Sequence, residues 1–157
     1  MAEHEGCLGK TDEWYTPPWV FEKLGILFDM DGASPGKDIV PWITAGTHIS
    51  HNSLSIEWFG SVWLNPPYGG RNGIIPWLAK MATHGNGIAL VPNRTGADWW
   101  QDFAAIADGM LFVRGKIKFI GQDGLEGKSP GYGNVLMAFG SEMKERLYSS
   151  KVIGFRS

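Results

Sequence analysis

Short apolar runs alternate with helix-like segments along most of this chain. The runs that predict strands are "ILFDM", "SVWL", "GIALVPN", "MLFVRGKIKFI" and "GNVLMAFG". "GIALVPN" is apolar from end to end, which is typical of a strand buried on both faces of a sheet. The helix-like segments are "TPPWVFEKLG", "GIIPWLAKMATHG" and "GADWWQDFAAIADG". This alternation predicts a three-layer α/β fold with a mainly parallel sheet and antiparallel strands near the carboxyl end.

Cap and turn residues mark the boundaries of the first helix. Thr16 is the expected N-cap, and Pro17 and Pro18 suit the first turn. Gly25 suits the end of the helix. Residues 38–58 are different, because they contain no clear period and predict no element.

Three loops rich in turn residues come directly after apolar strands. They are "DMDGASPG", "NPPYGG" and "PNRTG". In an open parallel sheet, ligands bind at the carboxyl ends of the strands. The sequence therefore predicts that the three loops converge on one functional edge.

The stretch "VWLNPPYGG" contains the most distinctive of these loops. Two consecutive prolines have no N–H to give to a sheet, so the strand ends near Leu64. The residues after Leu64 form a stiff tip with one amide, Asn65, and one aromatic ring, Tyr68. Two interpretations stay open: a polyproline turn after a strand, or a site for a planar, amine-bearing group.

Composition and charge narrow the choice of function. The 157 residues suit one domain over 1–157, with 1–11 as a flexible tail. A net charge of −2 excludes a generally basic coat, so any nucleic-acid contact needs a local patch. The single cysteine, Cys7, excludes an intrachain disulfide, and no metal site is expected. We find no signal peptide and no membrane-spanning run, and we expect a cytoplasmic protein.

Several blocks in order resemble a known family. "NPPY" after a strand is similar to motif IV of amino methyltransferases that use S-adenosylmethionine. "DEWYTPPWVFEKL", "FDMDGASPG", "VWLNPPYGG", "WLAKMATHGNGIALVPNRTGADWW" and "LFVRGKIKFIG" succeed one another as in the phage Dam-type DNA N6-adenine methyltransferases. The resemblance covers the chain from about Asp12 to Gly140. It implies a compact Rossmann-like methyltransferase sheet, S-adenosyl-L-methionine as cofactor and DNA as partner. It also implies a cytoplasmic location, which for a phage protein is the cytoplasm of the host.

The resemblance also implies roles for single residues. The residues that it places in catalysis are Asn65, Pro66, Pro67 and Tyr68. Those that it places around the cofactor are Trp14, Thr16, Asp29 and Asp31. Of the two carboxylates, Asp29 is the one that we expect to hold the amino group of the methionine moiety.

The tetrapeptide suits the chemistry of an adenine amino group. That nitrogen is a poor nucleophile because its lone pair is delocalised into the ring. The side-chain oxygen of Asn65 and the carbonyl of Pro66 can accept its hydrogens and direct the lone pair toward the methyl donor. The base must leave the duplex, and Tyr68 would stack on it.

Basic residues predict where DNA would be contacted. Arg114, Lys116 and Lys118 alternate in "VRGKIKF", so on a strand they share one face. That face is either a phosphate-binding stripe or an ordinary solvated surface. Arg94 comes after a buried strand and either contacts DNA or pairs with Asp98.

Departures from the family pattern leave alternatives. "DGAS" replaces a Gly-x-Gly turn, and "SHNSLSIEW" lacks an acidic run, so Glu57 or Asp38 would have to contact the cofactor ribose or adenine. A non-catalytic nucleic-acid-binding module with a degenerate fold is one alternative. An amino methyltransferase of RNA guanine or protein glutamine is another. Only residues 38–58 and 121–133 have room for DNA recognition, which predicts short or relaxed specificity or a homodimer.

Overall fold

One mixed sheet with helices on both faces forms the protein, and the computed structural model describes residues 14–67, 72–127 and 131–157. The strands are β1 (Phe28–Asp31), β2 (Ala45–His48), β3 (Val62–Leu64), β4 (Gly87–Pro92), β5 (Gly109–Val113), β6 (Asn134–Phe139) and β7 (Gly154–Arg156). The helices are α1 (Pro18–Leu24), α2 (Ile75–His84), α3 (Asp98–Ile106) and α4 (Ser141–Tyr148), with a 3₁₀ turn at Ser53–Ser55.

The strand order is β2-β1-β3-β4-β6-β5-β7. Strands β1 to β4 run parallel to one another, and each later neighbour pair, β4 with β6, β6 with β5 and β5 with β7, is antiparallel. This order confirms the prediction of a Rossmann-like α/β sheet that is mainly parallel at first and antiparallel at the end.

Two hydrophobic clusters fill the spaces above and below the sheet. Helices α1 and α4 pack in one cluster, and α2 and α3 pack in the other. Strand β4 serves both, since Ile88 and Leu90 face the first cluster while Ala89 and Val91 face the second. The three predicted layers are therefore present, and β4, "GIALVP", is apolar throughout because both of its faces are covered.

Helix α1 begins one residue later than predicted. Pro17, in an extended conformation, is its N-cap, so the prediction of Thr16 as N-cap is wrong. Pro18 occupies the first turn, where its missing N–H costs nothing. Gly25 ends the helix with φ +66°, as predicted. Thr16 is left free to use its side chain elsewhere.

The strand predicted through "VRGKIKF" is also wrong. Strand β5 ends at Val113, and Gly115 turns the chain with φ +75°. Residues 114–119 lie outside any strand. Ile117 is nevertheless buried in the core, while Lys116 and Lys118 on either side are exposed. The side chains therefore alternate between core and solvent as on a strand, although the segment is not part of the sheet.

Sequence patterns did not predict β2, α4 or β7. Strand β2 is an edge strand with half-buried and exposed residues, so it has no apolar run to recognise. Helix α4 buries only Met143 and Leu147. Among the described residues, no helix has the length and apolar character that crossing a membrane requires.

Gly87 provides a test of the packing between β3, β4 and α2. A Cβ there would overlap the carbonyl oxygen of Val62 and lie 2.7 Å from the Met81 sulfur. We expect Gly87→Ala to lower the free energy of unfolding by about 2 kcal/mol or more, because the backbone of β3 has to move. Gly46→Ala on β2 is the matched control, since its nearest neighbour would be an ordinary contact at 3.4 Å. Urea denaturation of both variants checks this, and equal stabilities would contradict it.

Candidate functional site

The connection order of the strands creates a crevice at one point of the sheet. From β1 the chain crosses to β2 on one side, and it returns to form β3 on the other side of β1. Connections therefore diverge at the carboxyl ends of β1 and β3, which is where open α/β sheets bind ligands. Asp31 ends β1, and Asn65 comes after the last residue of β3. The register pairs Asp31 with Trp63, which brings both polar side chains to the same edge.

Asn65 is half-buried at this edge and has a defined partner. Its Nδ2 donates a hydrogen bond to Thr16 Oγ1 at 3.1 Å. Pro66 is buried and Pro67 is half-buried. Tyr68, the predicted stacking ring, lies outside the described residues. The structure thus brings together a predicted catalytic residue and a predicted cofactor residue, Asn65 and Thr16.

The segment before α1 is anchored on several sides. Thr16 is 1% exposed, and its carbonyl accepts a hydrogen bond from Trp42 Nε1 at 2.8 Å. Tyr15 exchanges main-chain hydrogen bonds of 2.7 and 2.8 Å with Ile120. The indole of Trp14 lies so close to Gly127 that a Cβ there would overlap it. The "WYT" segment therefore lies between the Asn65 tip and the start of the Gly-rich loop, residues 121–133.

Asp31 is the buried carboxyl group of the site. It is 1% exposed, and burial raises its pKa to about 7, although hydrogen bonds from the Ala33 amide and the Ser34 hydroxyl act in the opposite direction. Nδ1 of His48, at the end of β2, lies 3.9 Å from Asp31 Oδ2. Burial lowers the pKa of His48, which disfavours the imidazolium form that would balance the carboxylate.

Ser34 completes this cluster without forming a hydrolase relay. Its Oγ lies 3.4 Å from His48 Nδ1 and accepts a hydrogen bond from the Gly36 amide at 2.9 Å. A nucleophilic serine needs the carboxylate on one ring nitrogen and its own hydroxyl on the other. Here Asp31 and Ser34 both approach Nδ1, so the cluster does not form the relay that would activate the hydroxyl.

Asp29, the other predicted cofactor carboxylate, is held away from the crevice. Its Oδ2 accepts hydrogen bonds from the amide and hydroxyl of Ser61, at 2.8 and 3.2 Å. Ser61 precedes β3, so the exposed Asp29 side chain lies at the amino end of that strand. The geometry favours Asp31 over Asp29 as the carboxylate of the crevice.

A local irregularity of β1 separates the two carboxylates. The amides of Asp29 and Met30 both donate to the Ser61 carbonyl, at 2.8 and 3.1 Å, so two residues face one, as in a β-bulge. On a regular strand, side chains two residues apart face the same side of the sheet. Here Phe28 and Met30 face opposite sides and belong to different hydrophobic clusters. Such an irregularity redirects side chains next to functional sites.

The basic residues are exposed but dispersed. Arg94, in the loop after β4, lies 5.4 Å from the centre of the Tyr132 ring and does not pair with Asp98. The Asn93 amide donates to the Gly133 carbonyl at 2.9 Å, which joins this loop to the end of the Gly-rich loop. Three more basic residues are exposed on the segment after β5: Arg114, Lys116 and Lys118. Their contact with DNA remains a prediction.

Sequence reasoning missed three contributors to the site: Ser34, Trp42 and His48. His48 could have been found only as the end of a strand, and β2 gives no strand signal. Trp42 and Ser34 lie in loops, where an indole or a hydroxyl has no period to mark it.

Comparison with known families gives one clear result. The family model described as DNA N-6-adenine-methyltransferase (Dam) matches residues 7–152. Comparisons with curated proteins and with solved structures found no match. The matched region includes Thr16, Asp31 and Asn65, so the crevice lies within it.

The pKa of Asp31 predicts a pH dependence of stability. Between the ordinary value of 3.8 and the folded value of about 7, the folded protein holds a proton that the unfolded chain has lost. This group therefore makes the free energy of unfolding fall with rising pH, by at most about 1.4 kcal/mol per unit. We expect Asp31→Asn to gain stability relative to wild type as pH rises from 4.5 to 8.

Urea denaturation of both proteins at each pH measures this difference. Comparison at each pH is needed because His48, whose pKa is lowered, contributes a slope of opposite sign below pH 6.5. Asp29→Asn, which removes an exposed carboxyl group from the same strand, is measured at the same pH values as the matched control. A pH-independent difference between Asp31→Asn and wild type would contradict the assignment.

Proposed function

The chain belongs to the DNA N-6-adenine-methyltransferase (Dam) family, and we propose that it transfers a methyl group from S-adenosylmethionine to the N6 amino group of a flipped adenine in DNA. The observation that supports this most directly is the position of Asn65 and Asp31 at one switch point of the sheet. One side chain suits a neutral amine, and the other suits a cationic ligand.

The Asp31 cluster fits a cofactor with a positively charged amino group. A buried carboxylate is costly unless a cation or a proton compensates it, and the lowered pKa of His48 makes this imidazole a poor source of positive charge. We propose that Asp31, with Ser34 and His48 beside it, holds the ammonium end of S-adenosylmethionine. When bound, the cofactor supplies an electrophilic methyl group on a sulfonium. Glu57 and Asp38, the acids considered from sequence, are both exposed.

Asn65 and Pro66 would act on the target base. The amide oxygen of Asn65 and the main-chain carbonyl of Pro66 are acceptors on adjacent residues of one stiff tip. Each can accept one hydrogen of the adenine amino group, which directs the nitrogen lone pair out of the ring. Because both acceptors belong to one stiff tip, little reorganisation would be needed for the reaction. As the bond from N6 to the methyl carbon formed, the bond from that carbon to sulfur would break and S-adenosylhomocysteine would leave. The excess proton on N6 would then pass to solvent.

DNA binding has to come from local charge, because the net charge is −2. We propose that Arg94 and the exposed basic residues after β5 contact phosphates. Arg94 rests against Tyr132 at the carboxyl end of β4, one strand away from the Asn65 tip. Lys116 and Lys118 flank the buried Ile117, which fixes where their stems leave the surface.

A labelled-methyl transfer assay tests the proposal. Purified protein is incubated with labelled S-adenosylmethionine and unmethylated DNA, RNA or protein in separate reactions. We expect label in DNA and N6-methyladenine in the digested product. Label in RNA or protein would assign another amino substrate, N4-methylcytosine would assign the other amino base, and no label in any of them would favour the non-catalytic module.

Asn65→Ala tests the catalytic assignment. We expect turnover on DNA to fall by about a hundredfold or more, because one preorganised acceptor is lost. Binding of S-adenosylhomocysteine should persist, since Asn65 is assigned to the base and not to the cofactor. Steady-state rates and calorimetry measure the two effects. Turnover close to that of wild type would contradict the mechanism.

The two aspartates of β1 provide a paired test of the cofactor site. We expect Asp31→Asn to weaken S-adenosylhomocysteine binding at least tenfold, the size of one charged hydrogen bond. Asp29→Asn should bind almost as wild type, because that side chain is engaged with Ser61. Calorimetry at pH 8 measures both, since Asp31 is then largely ionised. The reverse order of affinities would restore Asp29 as the cofactor carboxylate.

A further inference from the structure

Thr16 and Asn65 form a contact whose chemistry depends on orientation. An asparagine side chain has an oxygen that only accepts hydrogen bonds and an NH₂ group that only donates them. If the NH₂ group faced the target base, it would oppose the hydrogens of the adenine amino group. In the structure, Nδ2 of Asn65 is directed to Thr16 Oγ1 at 3.1 Å. The amide oxygen is therefore the end that remains for a ligand.

We propose that Thr16 is a positioning residue, which holds the Asn65 amide with its oxygen directed toward the amino group to be methylated. This proposal rests on the proposed function, because only an amine substrate requires the Asn65 side chain to present its oxygen and not its NH₂ group. It replaces the role around the cofactor that the resemblance implied for Thr16.

Thr16 is itself held firmly enough to act in this way. Its side chain is 1% exposed, and its carbonyl is bonded to the Trp42 indole at 2.8 Å. Tyr15, just before it, is bonded in both directions to Ile120. Pro17, just after it, restricts Thr16 to extended conformations. The hydroxyl thus presents a fixed acceptor to a side chain 49 residues further along the chain.

The hydroxyl matters because the reacting residue is an amide. If an aspartate stood at position 65, both oxygens would be acceptors, and either could face the base. The hydroxyl of Thr16 would then rotate and donate. The requirement for Thr16 should therefore be strong with asparagine at position 65 and weak with aspartate there.

Thr16→Val and Thr16→Ser test the proposal directly. Valine keeps the shape and removes the hydroxyl, whereas serine keeps the hydroxyl. We expect Thr16→Val to lower kcat on DNA roughly tenfold, the size of one neutral hydrogen bond, with KM for DNA and the affinity for S-adenosylhomocysteine unchanged. Thr16→Ser should stay within about twofold of wild type, and thermal unfolding should show that both variants fold.

Two results would overturn the proposal. An unchanged kcat in Thr16→Val would show that the hydroxyl does not position Asn65. If Thr16→Val bound S-adenosylhomocysteine more weakly while Thr16→Ser bound it as wild type does, Thr16 would be assigned to the cofactor site again.

The Asn65→Asp background supplies the second test. There, Thr16→Val should cost little, about twofold or less, and a cost as large as with asparagine would contradict an orienting role. The side-chain amide resonances of Asn65, recorded by NMR, supply a readout that needs no activity. They should shift in Thr16→Val and stay in place in Thr16→Ser. If wild type methylates no DNA while these resonances respond as expected, the contact stands and the proposed function fails, and the positioning role fails with it.

Discussion

The parallel pairing of β1 with two strands at once is the constraint on which the site depends. Strand β1 bonds to β2 on one side and to β3 on the other. Because it is only four residues long, its ends are set by these two neighbours. Asp31 is placed by β1, His48 by β2 and Asn65 by β3. A sheet that did not reverse its direction of growth here would have no crevice in which to gather them.

Burial of Asp31 shows the local conflict between stability and binding. Asp31 is 1% exposed and its pKa is raised to about 7, so its ionisation at neutral pH destabilises the folded protein. An alanine or leucine would suit the core better. Groups with strongly shifted pKa values cluster at functional sites, since the missing compensation is what a charged ligand provides. The serine and amide donors around Asp31 lessen the penalty without removing it.

The parts of the fold that could be predicted are those in which a sequence pattern has a single structural explanation. The strand "GIALVP" is buried on both faces, and Gly25 ends α1 in a left-handed conformation, so both were legible. The strand predicted after Val113 failed because loop residues alternate there between core and solvent. From sequence, Asp29 is expected to hold the amino group of the cofactor because it lies at the end of a hydrophobic run, whereas in the structure its side chain accepts hydrogen bonds from Ser61. The amides of Asp29 and Met30 share the Ser61 carbonyl, and this changes which way the β1 side chains point. The sequence could not predict it, because it does not identify the strand that pairs with β1.

Tyr15 and Ile120 lie far apart in the chain, and the bonds between them have a kinetic consequence. Contacts that close long loops form only after the intervening chain has been brought together. During synthesis, the sheet from β1 to β4 can assemble before Ile120 has emerged from the ribosome. The segment around Thr16 then still lacks one of its two anchors, since Trp42 has already been made but Ile120 has not. An incomplete chain would therefore have the crevice before the Thr16 segment, which holds the partner of the Asn65 amide, is fully anchored.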